Sequence, residues 1–415
     1  MGSRRTGSLV ARAAGVAALA LAGLTVAASG APAAADTVRQ VIRIPAGDTH
    51  LVVTYRGNGH GHGLSQFGAL GAAKQGQSYR SILSFYYPKT ALKQAPRSAH
   101  IRVRLSGTGK TTTVAARPHL VVKGVDGALP TRAIARYRLV ADSGSQLALQ
   151  KLASTTGARW RNVATGLPNG AAFRRTNGDA VRLYLTDGTS TGYFGALRAV
   201  RRSARGVYTV NRVSYDNYTK GVVPREMPAS WPAQAVDAQA VAARTYGDYA
   251  VHYPMKSSYD ICDSTWCQVY GGHVHYNRDG SVAWNDDPNA ATDTSRQVLS
   301  YNGHAVFAQF SASNGGWTVP GGQPYLVARQ DNHDIARFDP YINQKTTVST
   351  KSLASEFGLT KLTKLVLVRD GNGTWNGRVL EVSAFNGTKR VDEDGFFLQG
   401  AFGLGTTWLQ IKPTA

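Results

Sequence analysis

The 415 residues give ample length for a real core in one large domain or two, and 45 glycines with few long periodic helical runs argue for many turns and short strands rather than a helical bundle. Lys and Arg number 47 against 25 Asp and Glu, a formal charge of +22, which suits polyanionic surroundings. The charges are scattered, so a merely solubilising basic surface is the plainer alternative.

Residues 1–35 read as a secretory signal peptide. Arg4, Arg5 and Arg12 precede an apolar Ala/Leu-rich run from Ala13 to Ala28, and Ala33-Ala34-Ala35 offers a small-residue processing site before Asp36. The run is shorter than the roughly 20 residues a membrane span needs, and no later segment is apolar enough to span. The Ser3-Arg4-Arg5 start leaves a twin-arginine export route open, although the residues after it match poorly. The expected mature protein, residues 36–415, is secreted or held at the wall, and loss of three arginines lowers the charge to +19. Export disfavours nucleic acid and favours teichoic acids, anionic glycans and peptidoglycan carboxylates as partners.

Residues 51–56 look like a strand leading into a Gly-His block, residues 57–68, where Ser65 caps a short helix ending near Gly76. A second short helix fits Tyr79 to Tyr87 and stops at Pro88. From about His100 to Ser214 the alternation in Ile101–Leu105, Val181–Leu185 and Val207–Val210 predicts strands separated by Gly, Asn, Asp and Ser turns. The Ala-rich stretch 232–250 is the best helix in the chain, and it sets Asp237, Arg244 and Asp248 near one face. Strands around Gln297–Ser300 and Ala305–Ser311 and a β-rich segment from Leu362 to Ile411 follow. There is no internal repeat. The fold class expected is α+β, β-rich, with the Ala-rich helix beside a substrate cleft.

The first 355 residues contain one glutamate, Glu226, in the dense stretch 221–246. Pro224, Pro228 and Pro232 stiffen the backbone there, and Ser230 is a good N-cap, so Glu226 is expected on a rigid loop just before the helix. Asp216, Asp237 and Asp260 stand as candidates for a second acid. The plain alternative makes Glu226 a helix-approach carboxylate favoured by the helix dipole.

This stretch resembles the signature of the SpoIID/LytB family, the sporulation stage II protein D and amidase-enhancer group of bacterial cell-wall proteins. The resemblance extends through Val210-Asn211-Arg212-Val213, Asp216-Asn217-Tyr218, Cys262, Cys267-Gln268-Val269-Tyr270-Gly271-Gly272, Phe310 to Gly316, Pro324-Tyr325-Leu326, Gly377-Arg378-Val379 and Gly403-Leu404. Gly59 to Ala69 with Tyr86-Tyr87-Pro88 resembles a block that closes the chain in many members and here opens the mature protein. Circular permutation of one fold is the economical explanation, with 36–98 completing a main domain at 99–415 by docking on the last strands; an independent N-terminal module is the alternative.

The resemblance implies a lytic transglycosylase cleaving between N-acetylmuramic acid and N-acetylglucosamine, with Glu226 as single general acid and base and a 1,6-anhydro product. An ordinary glycosidase uses two carboxylates. A raised pKa would suit the role, through burial near Met227 and Trp231, with Arg225 opposing it. Arg244 is implied to bind the muramic lactyl carboxylate or orient Glu226, an ion pair with Asp237 or Asp248 being the alternative. Asp237 stands where active relatives tend to carry lysine, which opens a rival reading as a non-catalytic, wall-binding enhancer of an N-acetylmuramoyl-L-alanine amidase.

His60, Ser65 and Gln66 suit sugar hydroxyls, and Ser311, Ser313 and Tyr270 resemble further cleft residues. His60-x-His62 is a weak metal signal. A Ser-His-Asp hydrolase is not expected, on the reading that no Gly-x-Ser-x-Gly nucleophile turn is present. Most of the 7 tryptophans and 19 tyrosines are expected in the core, some as sugar-stacking platforms. Cys262 and Cys267, five apart in an exported chain, read as a small-loop disulfide. Some relatives hold zinc there, with a histidine where this chain has Trp266; His252, His273 or His275 are the substitutes, and no cofactor is the expectation.

Overall fold

Alternating apolar positions dictate two large antiparallel-rich sheets in the computed structural model, which describes residues 36–46, 50–204, 206–285 and 293–414; the expected signal peptide lies outside the described residues. In the strand His100–Leu105, Ile101, Val103 and Leu105 point inward while Arg102 and Arg104 do not, as a period of two requires. That strand pairs with Gly206–Ser214 in a six-stranded sheet. An eight-stranded sheet runs in the order Arg161–Leu167, Leu147–Ala153, Ile134–Ala141, Thr112–Ala115, Val181–Tyr184, Ser190–Tyr193, Val274–Tyr276 and Val282–Asn285. The two sheets share one core that includes Val103, Val114, Leu139, Leu183 and Leu197.

Helices supply a second core. Helix α1 (Gln66–Lys74) is capped by Ser65, whose Oγ accepts from the Gly68 N–H, and α2 (Tyr79–Tyr86) is capped by Ser78. Helix α3 (Tyr215–Glu226) and the Ala-rich α4 (Ala233–His252) follow the longest strand of the six-stranded sheet. Leu64, Ala69, Ile82, Met227, Ala238 and Val241 bury one another where α1 and α2 lie on α4. Small side chains permit this close packing: a Cβ on Gly247 of α4 would meet the Tyr218 ring of α3 at 2.9 Å.

A third core joins the two ends of the described chain. The strand Val38–Arg43 pairs antiparallel with Lys364–Arg369, and His50–Tyr55 lies between Gln344–Ser349 and Leu409–Pro413. Ile42, Leu51 and Val53 are buried with Leu365, Val382, Leu409 and Ile411, and helices α5 (Thr350–Glu356) and α6 (Gly395–Ala401) flank them. Residues 36–98 are thus built into the same body as 99–414. The architecture is α+β, as the sequence predicts.

Three local expectations fail. Residues 305–311 are not one strand: His304–Ala305 pairs with Gln297–Tyr301, Phe310–Ser311 pairs with Leu64–Ser65, and residues 306–309 between them lie in no strand. Glu226 is not on a loop before a helix; it is the last residue of α3, which continues through Pro224. Ser230 does not cap α4, whose N-cap is Pro232 with no side-chain bond. Proline usually breaks a helix interior, but Pro224 lies within three residues of the end, where the Met227 N–H still closes on the Val223 carbonyl.

Candidate active site around Glu226

At the end of α3, Glu226 is half-buried, and its Oε1 accepts a hydrogen bond from the Val269 N–H at 3.0 Å. Burial pushes its carboxyl above the ordinary range, and the Val269 N–H offsets part of that rise. The helix reinforces the direction: its C-terminus carries partial negative charge, which disfavours a carboxylate. A helix-approach carboxylate favoured by the dipole is therefore not what the structure shows.

Residues 267–271 are stitched to α3. The Tyr218 hydroxyl donates to Gln268 Oε1 at 2.5 Å, and the Gly271 N–H donates to the Gly221 carbonyl at 3.0 Å. Cys262 and Cys267 are joined as a disulfide at the start of this segment. Tyr270 is buried, its hydroxyl bound to Asn211 Oδ1 at 2.7 Å, so it is a core residue beneath the site. The Arg225 guanidinium carbon lies 3.0 Å over the Trp284 ring, and His275 stacks on that ring at 5.3 Å.

Arg244 is fully buried. Its Nε donates to Asp216 Oδ1 at 2.9 Å and its Nη1 to the Gln297 carbonyl at 3.2 Å. The expected alternative, an ion pair with Asp237 or Asp248, is corrected: the partner is Asp216, and Asp248 instead accepts from the Tyr215 hydroxyl. With no exposed surface, Arg244 does not face a substrate. Asp216 also accepts from Ser295 Oγ and the Arg296 N–H, and Asp260 is held by the Arg102 guanidinium and N–H. Two of the three candidate second acids are thus committed to structural partners. The third, Asp237, is buried and pushed up to about 6 by desolvation and then by the charge of Asp293.

The Gly-His block pairs with residues 310–319. His60 and His62 stack at 4.9 Å, and the Gly61 N–H donates to Ser311 Oγ at 3.3 Å. Solvent reaches His60, yet surrounding protein together with His62 and Arg378 pushes it down to about 4, so the ring is neutral at pH 7. Ser65 and Ser313 do not face a cleft. Both are buried and donate to Asp334 Oδ2, at 2.7 and 3.2 Å, and Ser313 also bonds Asp339. Gln66 is buried too, with its Nε2 3.5 Å from Gln239 Oε1 of α4. Of the residues expected to bind sugar, His60 and Ser311 reach solvent and the rest are buried.

Among the described residues no three His, Cys, Asp or Glu side chains converge on a common metal position. His252 bonds the Asp248 carbonyl and His275 bonds Thr191 Oγ1. A cavity of about 390 Å³, lined by Arg97, Ser214, Asp216, Ser295 and Arg296 among others, opens at the opposite end of α3, about 15 Å from Glu226 along the helix. Gly188-Thr189-Ser190-Thr191-Gly192 does carry the Gly-x-Ser-x-Gly spacing that the sequence reading passed over. Ser190 is buried in a strand and accepts from Arg182 Nε at 2.8 Å, so it is no exposed nucleophile on a strand-to-helix turn.

Sequence reasoning missed the Val269 N–H, because a backbone donor leaves no residue signal, and it missed Trp284. The latter was one of 7 tryptophans, with nothing in its neighbours to mark it.

Residues 203–301 match the family model described as Stage II sporulation protein, SpoIID. Over 141 residues the chain is 39% identical to the amidase enhancer of Bacillus subtilis (strain 168), covering 32% of this chain and 17% of that protein. Over 120 residues it is 30% identical to stage II sporulation protein D of the same strain, covering 26% and 34% respectively. Stage II sporulation protein D of Bacillus amyloliquefaciens is 27% identical over 124 residues, 27% and 35%. The matched region spans about a sixth to a third of these relatives' own lengths.

Proposed function

Residues 203–301 belong to the SpoIID family, and from that premise we propose that this protein acts on peptidoglycan as a lytic transglycosylase with Glu226 as its one general acid and base. The observation that carries the reading is the state of Glu226: half-buried at the negative end of α3, with one carboxylate oxygen held by a backbone N–H. Burial and the dipole raise its pKa, the direction a general acid needs, and the Val269 contact fixes Oε1, leaving Oε2 to present a proton. The acid protonates the bridging glycosidic oxygen as the C1–O bond breaks. The resulting carboxylate then takes the proton from the muramic 6-hydroxyl as that oxygen closes on C1, and the 1,6-anhydro end forms without a water nucleophile. The commitment of Asp216 and Asp260 to structural bonds agrees with a one-carboxylate scheme.

In this reading His60 and Ser311 contact sugar, while Arg244 positions α3 through Asp216, ten residues before Glu226. No cofactor is invoked, and the protein works outside the cell, at the wall. Incubation with intact and peptide-free glycan strands, followed by mass spectrometry, tests it. Wild type should yield 1,6-anhydro ends and Glu226→Gln should not; identical products from both would overturn the catalytic assignment.

The 39% identity to an amidase enhancer and the aspartate at 237 favour a second reading, a wall-binding partner of a cell-wall amidase. Equal stimulation of amidase release by wild type and Glu226→Gln would select it.

A further inference from the structure

The outward face of the eight-stranded sheet carries an ordered row of arginines and aromatic rings. Register sets Tyr184, Ser190 and Tyr276 across from one another on three adjacent strands, with Arg182 two residues from Tyr184 and so on the same face. Leu183 pairs with Val114, and the neighbours of Val114, Thr113 and Ala115, pair with Arg138 and Arg136. Both arginines therefore share the face of Arg182. The reverse face is core, since Val114, Leu139 and Leu183 are fully buried, whereas Arg136, Arg138, Arg182, Tyr184 and Tyr276 are half-exposed. Four strand steps separate Ile134–Ala141 from Val274–Tyr276, a run of roughly 19 Å.

The guanidiniums in this row are oriented but not neutralised. The Arg136 carbon Cζ lies 3.8 Å from the Tyr184 ring centre, that of Arg182 lies 3.8 Å from Tyr276, and that of Arg138 lies 4.1 Å from Trp160. Their side-chain acceptors are neutral: Arg138 Nε donates to Gln150 Oε1 at 2.7 Å and Arg182 Nε to Ser190 Oγ at 2.8 Å. Among the described residues none of the three is ion-paired. The carboxylates in the turns at one end, Asp187 and Asp279, are engaged by Thr189 and Ser281 within those turns.

A row of this kind selects its ligand. The ring faces are covered by guanidiniums, so a neutral glycan finds no bare platform to stack on. What remains are planar N–H forks held in line, which match oxyanions spaced along a linear chain. We propose that this face binds a poly(alditol phosphate), the phosphodiester class of wall polymer. A phosphodiester keeps its full charge at every pH of interest and offers two free oxygens to each fork. The site is separate from Glu226 and stands whether or not the protein cleaves glycan.

Fluorescence anisotropy of the purified protein with end-labelled poly(glycerol phosphate), across a salt series, tests the proposal. Three variants are compared: Arg136→Gln/Arg138→Gln/Arg182→Gln; the same positions changed to Lys, which keeps charge but loses the forks; and Lys345→Gln/Lys351→Gln/Lys361→Gln, which removes equal charge from exposed positions elsewhere. The Gln row variant should bind about tenfold more weakly with a shallower salt dependence, the Lys row variant in between, and the control within about twofold of wild type. If the Gln variant fails to fold, the Lys variant decides. Equal loss in row and control variants would overturn the proposal by reducing it to net charge. Polygalacturonate of matched length bound as tightly as poly(glycerol phosphate) would overturn the phosphodiester assignment.

Discussion

Burial raises the pKa of two carboxyls near the start of α4, and their other neighbours differ in a way that can be measured. Glu226 sits at a helix's negative end, whereas Asp237, five residues into α4, sits near a positive one; its rise comes from burial and Asp293. An unfolded aspartate titrates near 3.9. Between that value and about 6 the folded protein therefore binds a proton that the unfolded chain has released, and stability falls as pH rises through this window. Asp237→Asn removes the penalty. Urea unfolding should find the variant more stable than wild type at pH 8, by about 1–3 kcal/mol, and equal to it at pH 3.5. A gain of the same size at both pH values would show that burial of charge is not the cause. Glu226 itself was legible from composition alone, a single glutamate in 355 residues, but its state was not: the Val269 N–H that holds it comes from over forty positions away.

Among the elements, strong periodicity was readable and local punctuation misled. The Ala-rich α4 and the alternating strands appear within a few residues of where their patterns place them, because those patterns are also the packing faces. Three prolines around Glu226 read as loop, yet α3 tolerates Pro224 near its end, since tertiary packing of Tyr218 and Val222 outweighs one lost bond. The disulfide segment gains a role that spacing could not give it. Cys267 is two residues from Val269, so the bridge anchors the backbone that holds Glu226. Opening this ring, by Cys262→Ser/Cys267→Ser or by reductant, should cost about 2 kcal/mol of stability in a thermal or denaturant melt. It should also slow formation of 1,6-anhydro ends and move the alkaline limb of their pH profile upward, because the Val269 N–H is the contact that lowers the Glu226 pKa. A melt that shifts with no change in the pH profile would separate the bridge from Glu226.

At the scale of the whole molecule, the pairing of His50–Tyr55 with Leu409–Pro413 makes chain order and spatial order different things. Ile42, Leu51 and Val53 fill a core whose other half comes from residues 353–411. Burial of each such side chain is worth about 1.5–3 kcal/mol, so their joint removal approaches the whole stability of an ordinary domain, about 5–15 kcal/mol. Residues 99–415 alone should therefore fail to show a cooperative unfolding transition. Reordering the same residues should not do this harm. A chain that starts at Ser98, runs to Thr414, continues through a flexible Gly/Ser linker of about 15 residues and ends with Asp36 to Arg97 keeps every strand pair, and it is cut in an exposed turn. Its circular dichroism and melting temperature should match those of the natural order. Folding of the truncated chain would mean that 36–98 is an accessory, and failure of the reordered one would mean that the natural order is needed to bring the two halves of this core together.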